Sequence, residues 1–475
     1  MNRKSGSPIS ILSAELKKTA AAFLPALLLC LMSLPASAAR GPVSGNPPPP
    51  RSAAGLQQLL DKAKPGDTVI IPEGIYKLND RPIRPHVSGN AHAWITIMPG
   101  KGKQVIIDGS NYLSRYSGGK QPLSALVLFK NCRYIRMKGI EVRNSHDAGI
   151  VMQGPNTDHI EIIRCKSDGS YNSGISMWYA DSCRILQCEV VAANNKDLKP
   201  AGAPFRGEAP HEAISLAGAT HFEVAYNRVH DCFKEGIDCK EVSRNGIIHH
   251  NVVYNMPRQG LYTDCWFGRL SGIRFYDNTV YNCEWGFAIS GEGRNASMDS
   301  IYFHHNLLYN NRASGIFISV WGFDEPRKDI FIYNNTVYHN GTAGHWSGLT
   351  GGIDIMSSHT RNLYIYNNII SDNYGYAVGL WAPDAAKDSL LKNRNIRILD
   401  NLEWQQNKPG TKNPKAIFKP MYPIELSSDI KADPRFVDAA AGNFRLSASS
   451  PARKKGWSAA PTGKADFLGA LAPAK

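Results

Sequence analysis

Residues 227–264 read NRVHDCFKEGIDCKEVSRNGIIHHNVVYNMPRQGLYTD, and they contain one short phrase twice. Each copy has an Asn inside an aromatic or apolar strand, Asn227 or Asn251. About nine residues later comes a Gly with an apolar neighbour, Gly236-Ile237 or Gly260-Leu261. Outward from this pair the phrase recurs. The Asn column runs Asn227, Asn251, Asn278, Asn306, Asn335, Asn368 and Asn401, at spacings of 24, 27, 28, 29, 33 and 33. Cys165 and Cys188 hold the same place in earlier copies. The second landmark reads Gly149-Ile150, Gly174-Ile175, Ala213-Ile214, Gly236-Ile237, Gly260-Leu261, Gly286-Phe287, Gly315-Ile316, Gly352-Ile353 and Ala377-Val378. Recurrence of this kind predicts the coils of a solenoid, each needing its neighbours to bury a core.

The strand after each landmark carries the argument further. With the landmark's apolar residue as position 0, positions 0 and 2 are apolar in every copy except for Thr263. A period of two predicts strands with one face buried and the other exposed, stacked parallel coil on coil. The Asn column then has a structural role: a turn amide bonds the backbone of the next coil, giving a ladder.

At the N-terminus, Arg3, Lys4, Lys17 and Lys18 precede an apolar run from Ala20 to Leu34 and a small-residue site, Ala36-Ser37-Ala38. Residues 1–38 are read as a signal peptide, which implies export to the periplasm or medium and no membrane insertion after cleavage. Residues 39–51, with Pro47 to Pro50, read as a linker. Ser52 caps a short helix carrying Leu56, Leu59, Leu60 and Ala63. The solenoid with this cap is expected over residues 52–402, and a C-terminal cap and tail over 403–475.

The chain of 475 residues is 43% hydrophobic and 20% charged, which excludes a disordered chain or a polytopic membrane protein. Its formal charge is +14, and removal of the leader leaves +11. Such a surface suits a polyanion; export argues against nucleic acid. Of nine cysteines, eight follow the leader, without zinc-site spacing. They are read as small buried apolar residues.

The coil pattern, the helix before "PGDTVIIPEGIY" and the ending "DPRFVDAAAGNFRLSASSPARKKG" resemble the right-handed parallel β-helix of pectate-lyase-like proteins. The resemblance implies an all-β, single-chain, monomeric solenoid with an N-terminal capping helix, over roughly residues 52 to 460. It specifies activity poorly, because one fold hosts many chemistries.

Function is sought on the outward positions 1 and 3. They are bland over most coils, but one coil carries Asp238 and Lys240 and the next Tyr262 and Asp264. Position −2 adds Glu212 and Glu235. Trp178 lies two coils before Lys240, Trp285 stands at position −2, and Trp266 and Glu292 at position 5. Stacking geometry puts Asp238 and Asp264 about 8 Å apart on a diagonal. An insertion between Asn194 and Pro210 brings Lys196, Lys199 and Arg206 beside the patch.

Three functions compete. A polysaccharide lyase acting on an acidic, uronate-containing polymer would use Lys240 as base. Ca²⁺ on Glu212, Glu235, Asp238 and Asp264 would relieve their mutual repulsion. The spacing of Glu235 and Lys240 is similar to that of β-helix alginate and chondroitin lyases, though Asp264 stands where those enzymes place an Arg. An inverting glycoside hydrolase would use Asp238 and Asp264, with Glu235, Glu212 or Glu292 as substitutes. A non-catalytic polysaccharide-binding β-helix gives the carboxylates no role, and a solvated ion-pair ladder would give them only a surface one. Tyr262, Trp178, Trp266, Trp285, Glu292 and Arg206 are expected to bind substrate, because sugar rings stack on aromatic faces and cations hold an acidic chain. The basic charge and the family habit favour the lyase.

Overall fold

The computed structural model describes residues 49–112, 124–200, 209–342, 351–381, 387–406, 421–423, 430–453, 456 and 466–471. The leader, most of the linker and Arg206 lie outside the described residues.

The repeat folds as a three-sided parallel β-helix. Each coil gives one strand to each of three sheets, which contain 14, 12 and 11 strands among the described residues. The nine landmark strands stack in register. Ile150, Ile175, Ile214, Ile237, Leu261, Phe287, Ile316, Ile353 and Val378 form one continuous inward column. All are buried. Thr263, the break in the apolar pattern, is buried too and donates its hydroxyl to the Cys239 carbonyl at 2.8 Å. The eight described cysteines are buried free thiols.

The Asn column is a ladder. Asn251 Nδ2 donates to the Val224 carbonyl (2.9 Å) and to Asn278 Oδ1 (3.0 Å), while Asn251 Oδ1 accepts from the Asn227 backbone N–H and Nδ2. The residue before each ladder Asn adopts a left-handed corner, as at Tyr226 (φ 59°), His250 (54°) and Asn334 (51°). A second, parallel ladder runs through Asn311, Asn340 and Asn373.

Ser52 accepts from the Gly55 N–H and caps the helix Ala53–Asp61, which buries Leu56 and Leu60 on the first coil. At the other end the stacking continues past residue 402: Ile430–Lys431 pairs parallel with Leu402–Trp404. The described C-terminal residues then run along the flank. Phe444 packs on Tyr309 and Tyr338, and the Gly469 N–H reaches the Asn367 carbonyl at 3.0 Å. Among the described residues no helix is long and apolar enough to cross a membrane.

One expectation fails. The landmark sheet is buried on its outer face as well as its inner one: Val151, Ser176, Ser215, Asp238, Ala288 and Phe317 are all within 1% of full burial. Large side chains lie across that face. Trp178 covers Leu128, Val151 and Ala217, and Trp285, Phe317, Trp321 and Tyr376 form a second apolar layer. Period two therefore encodes two chemically different buried faces rather than a wet and a dry one.

Candidate active site

Two neighbouring strands of the landmark sheet, Ile237–Lys240 and Gln259–Cys265, position the polar residues. Their register pairs Asp238 with Tyr262 and Lys240 with Asp264. The strand pattern forces Ile237 and Cys239 inward and therefore turns Asp238 and Lys240 to the outer face. Glu212 and Glu235 stand just ahead of their strands and reach the same face from the turns.

The Lys240 ammonium is the hub. Its Nζ donates to Glu212 Oε1 at 2.7 Å and stands 3.5 Å from Asp238 Oδ2; all three side chains are at least nine-tenths buried. Glu212 also accepts from Ser215 Oγ at 2.8 Å. Asp264 Oδ2 accepts from the Trp266 indole at 3.0 Å, while the Trp266 ring is half exposed. Tyr262 donates its hydroxyl to Glu292. Glu235 turns away, to Arg258 (2.9 Å) and Lys234 (3.5 Å).

The charges follow from these contacts. Burial by itself would raise Glu212, but the Lys240 ammonium, then Lys234 and His211, bring it down to about 2. Burial pushes Asp238 well above the carboxylate range, and Asp264 and Glu212 push it further. Asp264 is likewise raised by burial, against the pull of Lys240 and with the help of Glu292. Burial works against the charge on Lys240, yet Glu212, Asp238 and Asp264 together hold its pKa well above the ordinary lysine value. Lys240, which the lyase reading would use as base, is held as an ammonium by its contacts with Glu212 and Asp238, with Asp264 adding to the field.

The expected substrate residues divide. Tyr262, Glu292 and Trp266 belong to the cluster. Trp178 packs edge-on against His211 at 4.5 Å, in the apolar layer two coils away from Lys240. Trp285 stacks on Phe317 in the second layer and meets Trp321 edge-on. Both are mainly packing residues.

The expected four-carboxylate Ca²⁺ set is not assembled in this geometry. Among the described residues no group of three or more His, Cys, Asp or Glu stands at metal-holding spacing. Glu212 bonds Lys240 and Glu235 bonds Arg258, while Asp238, Asp264 and the Oε2 of Glu235 keep side-chain oxygens without hydrogen-bond donors among the described residues.

Sequence reading missed position −3. His211, Lys234 and Arg258 occupy it on successive coils, and each touches or charges a neighbouring site residue. The signal was legible, one residue upstream of the position −2 column.

Comparison with known proteins agrees with the fold. Residues 40–259 match a family described as Pel9A-like, right handed beta helix region, and residues 298–402 one described as disaggregatase related. The uncharacterized protein YwoF of Bacillus subtilis (strain 168) is 27% identical over 199 residues, and the match spans 38% of each protein. Pectate lyase Pel9A is 15% identical with a TM-score of 0.49, covering 88% of this chain and 90% of that one. Alginate lyase from Paenibacillus sp. str. FPU-7 is 18% identical with a TM-score of 0.41, covering 59% and 93%. The stacked coils and the capping helix give this chain a parallel β-helix fold, and its residues 40–259 are similar to the Pel9A-like right-handed β-helix region.

Proposed function

We propose that this chain is an exported enzyme that cleaves a polysaccharide by acid–base hydrolysis at Asp238 and Asp264. One observation carries the reading. Two carboxyl groups stand on a diagonal of adjacent strands, each with an oxygen that has no hydrogen-bond donor, beside an ammonium committed to Glu212. Strand geometry puts the pair about 8 Å apart, within the carboxyl spacing of inverting hydrolysis. The pair titrates as a unit. The Trp266 indole donates to Asp264, which favours a carboxylate there, and Asp238 is accordingly taken as the acid and Asp264 as the base. In the reaction Asp238 gives its proton to the glycosidic oxygen, and Asp264 takes one from the water attacking the anomeric carbon. Lys240 fixes the local charge.

The test follows product and mutant together. Incubation with acidic and neutral polysaccharides is expected to raise reducing ends without ultraviolet absorbance, in the presence of chelator. Asp238→Asn and Asp264→Asn should each lower turnover about 10²–10⁴-fold, and more than Lys240→Ala does. No cleavage of any polymer would leave a binding β-helix instead.

β-Elimination is the second reading. It is favoured by the Pel9A-like match, which spans Glu212, Glu235, Asp238 and Lys240. It requires a proton acceptor that Lys240 does not supply while its three carboxyl partners stay in place. Unsaturated products that depend on added Ca²⁺ would establish it and remove the hydrolase.

A further inference from the structure

The twelve-stranded sheet runs from Thr68–Ile71 to Ile396–Leu399, and its outer face carries a pattern that the acid pair does not use. From Ile163 through Leu186, His249, Tyr276 and Tyr333 to Leu399 the strands stack in register. Each puts an apolar, aromatic or imidazole side chain in one outward column. Most of these side chains are only partly buried.

The column beside it changes character halfway. On the earlier strands it is a closed ion ladder: Arg136 bonds Glu161 at 2.6 Å, and Arg184 stands 3.2 Å from Glu223 and 3.7 Å from Glu161. On the later strands it reads Arg274, Tyr302, Phe331, Tyr364 and Arg397. The three rings stack at 5.0 and 5.1 Å, and Arg274 lies over the Tyr302 ring at 5.4 Å. Lys328 pairs with Arg361 in the register of the same strands. Arg274, Lys328, Arg361 and Arg397 are all exposed. Among the described residues no carboxylate pairs with the three arginines, and Lys328 has only Asp329, at 3.9 Å.

An apolar row flanked by cations without counter-charges is the pattern of an element that lies in the plane of a lipid interface. The row meets the acyl boundary and the cations meet headgroup phosphates. A soluble polyanion answers the cations alone. A second copy of this chain answers the row alone, because the carboxylates of the same face are already engaged. Asp158 is held by Arg133 (3.5 Å), Glu161 by Arg136, Glu223 by Arg184 and His249, and Asp299 by Arg269 (2.5 Å). We propose that this face docks the protein on an anionic phospholipid surface, with phosphates at Arg274, Lys328, Arg361 and Arg397. The acid pair stands on another of the three sheets, so docking leaves Asp238 and Asp264 off the lipid and does not depend on the reaction assigned to them.

The chain freed of its apolar leader is sedimented with vesicles of phosphatidylcholine alone and of equal parts phosphatidylcholine and phosphatidylglycerol. The parent should sediment with the anionic vesicles only, and salt should release it. Arg274→Gln, Arg361→Gln and Arg397→Gln together should weaken binding tenfold or more at an unchanged melting temperature. Leu186→Gln, on the apolar row, should weaken it severalfold with all charges in place. Lys62→Gln, Lys77→Gln and Arg81→Gln, which remove the same charge from the cap helix and another sheet, should change nothing. Equal sedimentation with both vesicles overturns the proposal. So does an equal loss in the two triple variants, which would make net charge the cause. A chain that ignores vesicles yet binds polygalacturonate through the three arginines assigns the face to a polymer, and one that self-associates through Leu186 assigns it to a second copy; either result removes the membrane. Cleavage of soluble polymer, read separately, should be the same in the arginine triple as in the parent, so that failure of docking and failure of the hydrolase reading are seen apart.

Discussion

At the residue scale, Lys240 shows how burial converts a plausible base into a fixed cation. Its three carboxyl neighbours have unequal fates: Glu212 is held ionised at about 2, while Asp238 is pushed upward by burial and then by Asp264 and Glu212, and Asp264 by burial, with Glu292 and Glu212 adding to it against the pull of Lys240. These shifts have opposite signs in stability. The depressed Glu212 contributes stability that is fully present above its ordinary value of 4.5 and drains away as pH falls toward about 2. The raised aspartates stabilise the fold while protonated, and their contribution is lost as pH rises through their folded values. Glu212→Gln should therefore cost about 3 kcal/mol at pH 7, the scale of a broken buried pair, and flatten the acid limb of the curve. Asp264→Asn should be more stable than the parent at pH 8 yet inactive, the exchange of stability for activity common at working sites. Urea unfolding at pH 3, 5 and 8 reads both. A variant Asp264→Asn that is less stable at pH 8 would contradict the charge assignment.

At the element scale, the ladders explain why a turn amide recurs where an apolar residue would pack as well. Each ladder Asn satisfies a buried carbonyl of the preceding coil and, through its Oδ1, the N–H and amide of the preceding Asn, at full burial. Asn278→Ala would take their Asn278 partner from the Ile248 carbonyl and the Asn251 N–H and leave Asn251 Nδ2 with only its bond to the Val224 carbonyl, at about 1–3 kcal/mol for each group left unpaired. Its melting temperature should fall well below that of Arg274→Ala, an exposed change on a neighbouring strand. A loss no larger than that of Arg274→Ala would mean the ladder is ornamental. The first ladder was legible as a column of Asn residues. The second, at Asn311, Asn340 and Asn373, shares the spacings 29 and 33 with the first and was hidden only because the first already accounted for them.

At the scale of the whole molecule, the solenoid's two ends differ. The helix Ala53–Asp61 lays Leu56 and Leu60 on the first coil, while the described C-terminal residues brace the flank of later ones. Coils support only their neighbours, so damage at one end should stay local at first. Leu60→Ala should cost about 2–5 kcal/mol locally. It should speed amide exchange across Thr68–Ile71 while leaving Ile237–Lys240 protected, as read by hydrogen-exchange mass spectrometry. Uniformly faster exchange along the solenoid would show global coupling instead.

The sequence by itself determined the fold, because a coil repeats one solution to one packing problem: the same apolar period, corner and amide recur and are visible without coordinates. It also placed Asp238, Lys240, Tyr262 and Asp264 on one patch, since parallel register turns spacing along the chain into adjacency. Only the tertiary structure decided what those residues are. The charge on Lys240 depends on Glu212, 28 residues away, and the burial of the outer face on aromatic side chains from distant turns. Protonation and desolvation are set by the sum of a site's surroundings, and those surroundings exist only once the coils are stacked.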